Sequence, residues 1–177
     1  MSDLVVKCNS FGLFGIDSFC VEVEADVSRS VPSFDIVGLP DASVKESKDR
    51  VRSALCNCGL EFPPARIIIN LAPADRRKEG PVYDLPILVS LLQATGQINA
   101  DLSDCAFVGE LSLSGDVRRI NGVLSMAIKA KECNIKSLFV PCDNALEAAV
   151  VKGVDIYPVK NVFELVDHLK GRGEIEK

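Results

Sequence analysis

The sequence contains a single histidine, His168, and its seven cysteines are scattered along the chain. Cys56 and Cys58 lie two residues apart on a predicted helix, where side chains at that spacing do not face each other. A zinc site is therefore not expected, and His168 is interpreted as an ordinary residue in the last turn of a helix. An odd number of cysteines among mostly apolar neighbours indicates reduced thiols and a cytoplasmic protein.

The chain also lacks a long apolar run and an excess of charge of one sign. Its longest apolar stretch, residues 85–94, is too short and too interrupted to span a bilayer, and the N-terminus shows no signal peptide. Twenty basic and 25 acidic residues give a net charge of −5, so no uniform field attracts nucleic acid or anionic lipid. We expect no membrane association, and any basic site must be local.

The apolar content, 47% of 177 residues, is sufficient for a real core. We predict one domain over residues 1–171 and a charged linker over residues 172–177. The first forty residues alternate like antiparallel strands, and "ARIIINLAP" has the β-branched run of a strand buried on both faces. Two β-α units close the chain, which predicts parallel pairing at that end of the sheet. This order predicts an α/β fold with a mixed sheet covered by helices mainly on one face.

Local signals predict the helix ends. Asp41 is expected to cap a helix that ends at Gly59, and its charged outer face, Arg50 included, is interpreted as a solvated surface. Asp84 is expected to cap a buried helix that ends at Gly96, because Pro86 then falls in the tolerant first turn. A third helix is expected from Gly122 through Cys133.

A resemblance to a known family is carried by four segments, "FDIVGLPDASVKESKDRVRSAL", "INLAPADRRKEGPVYDLPI", "FVGELSLSGDVRRINGVL" and "VPCDNALEAAVVKGV". In this order they resemble the N-terminal domain of magnesium-chelatase-like, ComM-type AAA+ proteins, over residues 5–171. The resemblance implies a ribosomal-protein-S5-domain-2-like fold, similar to the proteolytic domain of Lon and to the C-terminal domain of RadA-type repair proteins.

The resemblance also locates a degenerate catalytic pair. Lon-type proteases use a serine directly after a Gly-Pro pair, activated by a lysine. Here Gly80-Pro81 is followed by Val82, and Leu124 stands at the lysine position. Ser125 and Lys129 are turned to other faces of the same helix and do not replace the lost pair. We therefore expect that this chain has no catalytic residues and is not an enzyme.

A Walker A segment is absent from the sequence, so no ATP site and no cofactor are expected in this chain. In the family an AAA+ module follows this domain, and ATP with Mg²⁺ is expected there. The resemblance implies an accessory domain of a homo-hexameric ATPase, a DNA helicase acting in branch migration during natural transformation. The family's relation to magnesium chelation finds no chemical support in this domain.

Two other functional interpretations stay open. One is a cryptic hydrolase that uses Lys78, Glu79 and Asp84 in place of the lost pair. The competing structural interpretation is that Asp84 caps a helix while Lys78 and Glu79 form a solvated loop pair. The other is a protein-interaction module that uses the helix of residues 41–59 or an exposed Tyr83.

A local basic patch is the last prediction from the sequence. Cations follow a predicted central strand and a predicted hairpin turn, and in a Lon-like topology both should lie near the same edge. Such a patch would contact the DNA backbone or an acidic protein partner. The residues assigned to it are Arg76, Arg77, Lys78, Arg118 and Arg119.

Overall fold

The computed structural model describes residues 5–177, and over this range the chain forms nine strands and six α-helices. The strands are β1 (Val6–Phe14), β2 (Asp17–Ser28), β3 (Ser33–Val37), β4 (Arg66–Ala72), β5 (Cys105–Phe107), β6 (Glu110–Leu111), β7 (Val117–Arg118), β8 (Ser137–Pro141) and β9 (Asp155–Val159). The helices are α1 (Ala42–Lys45), α2 (Ser47–Asn57), α3 (Asp84–Ala94), α4 (Val123–Glu132), α5 (Ala145–Ala148) and α6 (Val162–Leu169).

Seven strands form one mixed sheet in the order β3-β4-β2-β1-β5-β8-β9. The β1–β2 hairpin and the β2–β4 pair are antiparallel, and the remaining pairs in this sheet are parallel. The predicted opening hairpin, the parallel pairing near the C-terminus and the α/β fold class are therefore confirmed. The hairpin turn predicted ahead of Arg118 and Arg119 is the β6–β7 hairpin, which forms a separate two-stranded sheet.

The strand β4 was expected to be buried on both faces, and this prediction is wrong. Ile67, Ile69 and Leu71 are buried, whereas Ile68 and Asn70 between them are only half-buried. The β-branched run reflects a central position between β3 and β2 rather than two fully covered faces.

Helices cover both faces of the sheet. On one face Gly12 of β1 lies against the start of α3, where an added Cβ would sit 2.4 Å from the Tyr83 hydroxyl. On the other face of β2, Cys20 lies beside Cys133 at the end of α4. The cysteines outside this pair are Cys8, Cys56, Cys58, Cys105 and Cys142.

The helix ends follow the local signals, with one break. Asp41 caps α1 by accepting a hydrogen bond from the Val44 amide at 2.8 Å, as predicted, but a turn at Glu46 separates α1 from α2. Gly59, with φ of 71°, follows the end of α2. Gly122 precedes α4, again as predicted.

The charged segment 172–177, expected to be a linker, packs against the domain. Ile175 is 3% exposed, and its amide donates to Nδ1 of His168 at 3.0 Å. His168 itself lies in the last turn of α6, as predicted, beside the rings of Phe139 and Tyr157. Over residues 5–177 no helix has both the length and the apolar character that crossing a membrane requires.

Candidate functional site

The loop between β4 and α3 is fixed against the loop that follows β3. The Lys78 amide donates to the Leu39 carbonyl at 3.0 Å, and the Asp41 amide donates to the Lys78 carbonyl at 3.0 Å. These bonds form a short parallel bridge between Pro40 and Lys78. The loop is therefore held by the backbone at its middle, ahead of the Gly-Pro pair.

Lys78 is buried, which corrects its assignment both to a solvated loop pair and to an exposed basic patch. Its Nζ donates to the Gly38 carbonyl at 2.9 Å and to the Pro73 carbonyl. Burial lowers the pKa of Lys78, and the charge of Asp75 only partly opposes this effect. The ammonium group connects two loops and is not accessible to a phosphate or a substrate.

The helix entrance is built by Asp41 and the Gly-Pro pair. Besides capping α1, Asp41 accepts a hydrogen bond from the Gly80 amide through its second oxygen, at 3.2 Å. Gly80 has φ of 80°, a left-handed conformation that glycine adopts at little cost. Pro81–Tyr83 then forms a 3₁₀ turn that leads directly into α3.

Asp84 does not cap α3, because the 3₁₀ turn has already started helical geometry and Asp84 is the first α-helical residue. Its carboxylate is fully buried and accepts hydrogen bonds from several groups. The Arg50 Nε lies 2.6 Å from Oδ2, and the Leu111 amide donates to the same oxygen at 3.0 Å. The Ser47 hydroxyl donates to Oδ1. The carboxylate thus joins α2, α3 and the β6–β7 hairpin.

Arg50 is correspondingly a structural residue rather than part of a solvated helix face. Its side chain is 17% exposed and spans from Asp84 to the Ser43 carbonyl, which accepts a hydrogen bond from Nη2 of Arg50 at 2.8 Å. Burial acts to lower the pKa of Arg50, but the hydrogen bond and charge of Asp84, with smaller contributions from Glu110 and Glu46, raise it overall. The guanidinium stays charged.

Tyr83 is fully buried, so its expected role as an exposed contact is wrong. Its hydroxyl lies against Gly12 of β1 and, within residues 5–177, has no hydrogen-bond partner. Burial raises its pKa, as do the charges of Asp41 and Glu79. The Tyr83 ring, directly before α3, is therefore part of the hydrophobic core.

Only one of the two degenerate positions lines the cavity at the helix entrance. Val82 is 7% exposed and lines an open cavity of about 460 Å³ at the helix entrance. Leu124 is 39% exposed on α4 and is not among the residues that line this cavity. Ser125, next to it, donates its hydroxyl to the Ile16 carbonyl at 2.8 Å.

The cavity beside Val82 has apolar walls and a charged rim. Its other apolar side chains are those of Leu13 on β1, Pro81 in the 3₁₀ turn, Ile120 in the loop after β7 and Met126 on α4. Its charged side chains are those of Asp41, Glu79, Glu110 and Arg119.

Asn144 fixes one wall of the cavity. This fully buried side chain accepts from the Ile120 amide at 3.0 Å and donates to the Ile120 carbonyl at 2.9 Å. Asp41 fixes a second wall through the Gly80 amide, and Asp84 fixes the adjoining hairpin through the Leu111 amide. No sequence signal identified Asn144, because its partner lies 24 residues away.

The structure brings only part of the predicted basic patch together. Arg76 and Arg77 line one groove, and the Arg76 guanidinium lies 5.0 Å from the centre of the Phe19 ring. Arg77 pairs with Glu79 at 3.4 Å, and Glu79 also lines the cavity that contains Arg119. Acidic side chains are therefore interspersed among these exposed arginines.

Arg118 occupies a third position. It is exposed on β7, where its register partner on β6 is Glu110, and it lines neither the groove nor the cavity. Within residues 5–177, no group of three or more histidine, cysteine, aspartate or glutamate side chains is placed to hold a metal ion.

The mixed seven-stranded sheet and its helices form an α/β domain, and its fold is Lon-protease-like, in keeping with the similarity to a Lon protease described below. The chain belongs to the family of the magnesium-chelatase subunit ChlI, since the family model described as "Subunit ChlI of Mg-chelatase" matches residues 23–144.

Similar proteins place the chain within this family. The competence protein ComM of Haemophilus influenzae is 40% identical over 162 residues, which are 91% of this chain and 32% of ComM. The YifB protein of Escherichia coli K12 is 39% identical over 164 residues, 92% of this chain and 32% of YifB. The Lon protease of Acinetobacter baumannii is 30% identical over 132 residues, 70% of this chain and 16% of that protease. The chain thus spans about a third of the length of ComM and YifB.

Proposed function

We propose that this chain acts as a non-catalytic accessory domain of a longer, ComM-like AAA+ ATPase. The observation that carries the proposal is Val82, an aliphatic side chain at the residue directly after Gly80-Pro81, inside the cavity. Neither Val82 nor the exposed Leu124 can attack a carbonyl or transfer a proton. The ATPase activity, with its ATP and Mg²⁺, and the assembly into a homo-hexameric helicase belong in this proposal to the longer protein.

The surroundings of the other candidate groups support the same function. A cryptic hydrolase would need Lys78, Glu79 or Asp84 as acid, base or nucleophile. The Lys78 ammonium is bonded to two carbonyl oxygens, and the Asp84 carboxylate is held by Arg50 and Leu111. Of these three residues only Glu79 is exposed, and the cavity that it lines contains no serine, threonine, cysteine or lysine side chain that could act as a nucleophile.

The first prediction follows from this arrangement. The chain is expected to show no turnover of an unfolded protein or of an activated ester, because no activated nucleophile lines the cavity. Incubation with a fluorescent serine-directed phosphonate, followed by mass spectrometry, is the measurement, with an active Lon protease as the positive control. Labelling or turnover that disappears when a single cavity residue is replaced would refute a non-catalytic role.

DNA is a candidate partner, favoured by four exposed arginines, two in the loop before α3 and two at the end of the β6–β7 hairpin. Each phosphate contact contributes about 0.9 to the slope of log affinity against log salt. We expect weak, sequence-independent binding with a slope no steeper than about 4, because each arginine can contribute at most one such contact. The arginines to be replaced together by alanine are Arg76, Arg77, Arg118 and Arg119.

Fluorescence anisotropy with single- and double-stranded oligonucleotides at several salt concentrations measures this second prediction. The quadruple alanine variant should flatten the slope. A control with the same change in net charge removes four exposed lysines elsewhere, Lys45, Lys136, Lys152 and Lys170. If the wild-type chain binds no DNA at low salt, or if both variants lose binding equally, the arginines are not a DNA site and a protein partner remains.

A further inference from the structure

The cavity at the helix entrance combines apolar walls with an excess of acidic charge. Its apolar surface is formed by Leu13, Pro81, Val82, Ile120 and Met126. Around them stand three carboxylates against the single guanidinium of Arg119. A complementary ligand must therefore present an aliphatic stem and a positive end.

Within residues 5–177, the rim carboxylates form no strong ion pairs. Asp41 accepts hydrogen bonds from two backbone amides, those of Val44 and Gly80. Glu79 contacts Arg77 at 3.4 Å, with about two-thirds of each side chain exposed, and such surface pairs contribute little. Glu110 lies close enough to Arg50 to raise the pKa of that residue, but Arg50 is already bound by Asp84.

The walls are also rigid enough to define a site. Side chains hold Gly80, Leu111 and Ile120 through the backbone hydrogen bonds described above. Met126, with its flexible thioether, is the wall residue that can adapt to a bound stem. A preorganised cavity loses less entropy on binding than one that must form around its ligand.

We infer that this cavity binds the side chain of a lysine presented by a protein partner, with the aliphatic stem against Val82 and Met126 and the ammonium between Glu79 and Glu110. A compact ammonium suits carboxylates arriving from separate elements, whereas a guanidinium prefers one bidentate partner. This ligand goes beyond the proposed accessory role, and separate experiments can refute the ligand and the accessory role. Turnover would refute the non-catalytic role, and the titration below tests the ligand.

The test is a nuclear magnetic resonance titration of the 177-residue chain with three blocked amino acids. The probes are the N-acetyl methylamides of lysine, of norleucine, which has the same stem without the charge, and of glutamate. The chain has only two methionines, so a ¹³C-methyl label gives an uncrowded signal from Met126. The lysine probe should shift this signal and bind about two- to fivefold more tightly than norleucine, and glutamate should not bind.

Variants that remove a rim charge should change the affinity for the lysine probe in opposite directions, depending on the sign of the charge removed. Glu79→Gln and Glu110→Gln should each lower the affinity for the lysine probe about two- to fivefold, and Arg119→Gln should raise that affinity by a similar factor. Glu61→Gln, an exposed acid that does not line the cavity, is the matched control and should have no effect. All four variants change exposed or half-exposed side chains, so circular dichroism should show them folded.

Three outcomes would overturn the inference. Equal affinity for norleucine and lysine would make the cavity a purely apolar site. Preference for the glutamate probe would mean that Arg119 dominates the rim. A Met126 signal that the lysine probe does not move at any concentration would mean that the cavity does not bind this side chain.

Discussion

Replacing Arg50 by methionine is expected to lower the free energy of unfolding by about 3–5 kcal/mol. The substitution leaves the fully buried Asp84 carboxylate without its cation, while Ser47 and Leu111 alone continue to donate to it. An unpaired charge in a low-dielectric environment is far more destabilising than the loss of a surface pair. Arg50 should therefore be among the most sensitive positions of the domain.

Denaturant unfolding monitored by circular dichroism measures this effect, and a double-mutant cycle isolates its cause. Adding Asp84→Asn to Arg50→Met removes the unpaired charge, so the double variant should recover about 1–2 kcal/mol relative to Arg50→Met. Arg52→Met is the matched control. That guanidinium lies 4.5 Å from the centre of the Phe62 ring, a contact that contributes about 0.5–1 kcal/mol at an exposed site. Equal destabilisation by Arg50→Met and Arg52→Met would contradict a structural ion pair.

Features set by neighbours in the chain could be predicted from the sequence. The cap at Asp41 depends on an amide three residues away, and the helix ends near Gly59, Gly96 and Gly122 depend on glycines with positive φ. Alternation along β2 likewise predicts which side chains face the core, since side chains on a strand alternate between its two faces. These signals were sufficient for the fold class.

The predictions that the structure contradicts concern side chains whose partners are distant in the chain or whose burial depends on the whole fold. Lys78, Tyr83 and Asp84 were each assigned from local pattern alone, as a loop cation, a surface ring and a helix cap. The partner of Lys78 at Gly38 lies 40 residues away, and that of Asp84 at Arg50 lies 34 residues away. A charged side chain that is paired across the fold has the same local sequence as one in solvent, so periodicity does not distinguish them.

The candidate site shows the same division. The Gly-Pro pair and Val82 could be located from the order of motifs, and the structure places Val82 in a cavity. The acidic rim could not be predicted, because Asp41, Glu79 and Glu110 come from three separate segments. The arginines alone predict a basic surface, whereas in the structure acidic side chains lie among them.

Replacing Gly38 by alanine should destabilise the domain by about 2–5 kcal/mol, the sum of a left-handed backbone and a steric clash. Gly38 has φ of 104°, and an added Cβ would lie 2.2 Å from the Leu71 carbonyl oxygen. Relief of this contact would move β3 away from β4 or displace the Gly38 carbonyl that accepts from Lys78. Either movement should also loosen the loop that leads to Gly80.

Gly59→Ala separates the two contributions. Gly59 has φ of 71°, but an added Cβ would meet nothing within 4 Å, so only the conformational cost of about 1–2 kcal/mol applies. Denaturant unfolding of the two variants should therefore differ by about 1–3 kcal/mol, with Gly38→Ala the less stable. Hydrogen exchange should localise the difference: in Gly38→Ala the Lys78 and Asp41 amides, which bridge the two loops, should lose protection more than those in α3. Equal stability of the two variants would show that the close approach of Gly38 to Leu71 does not constrain the fold.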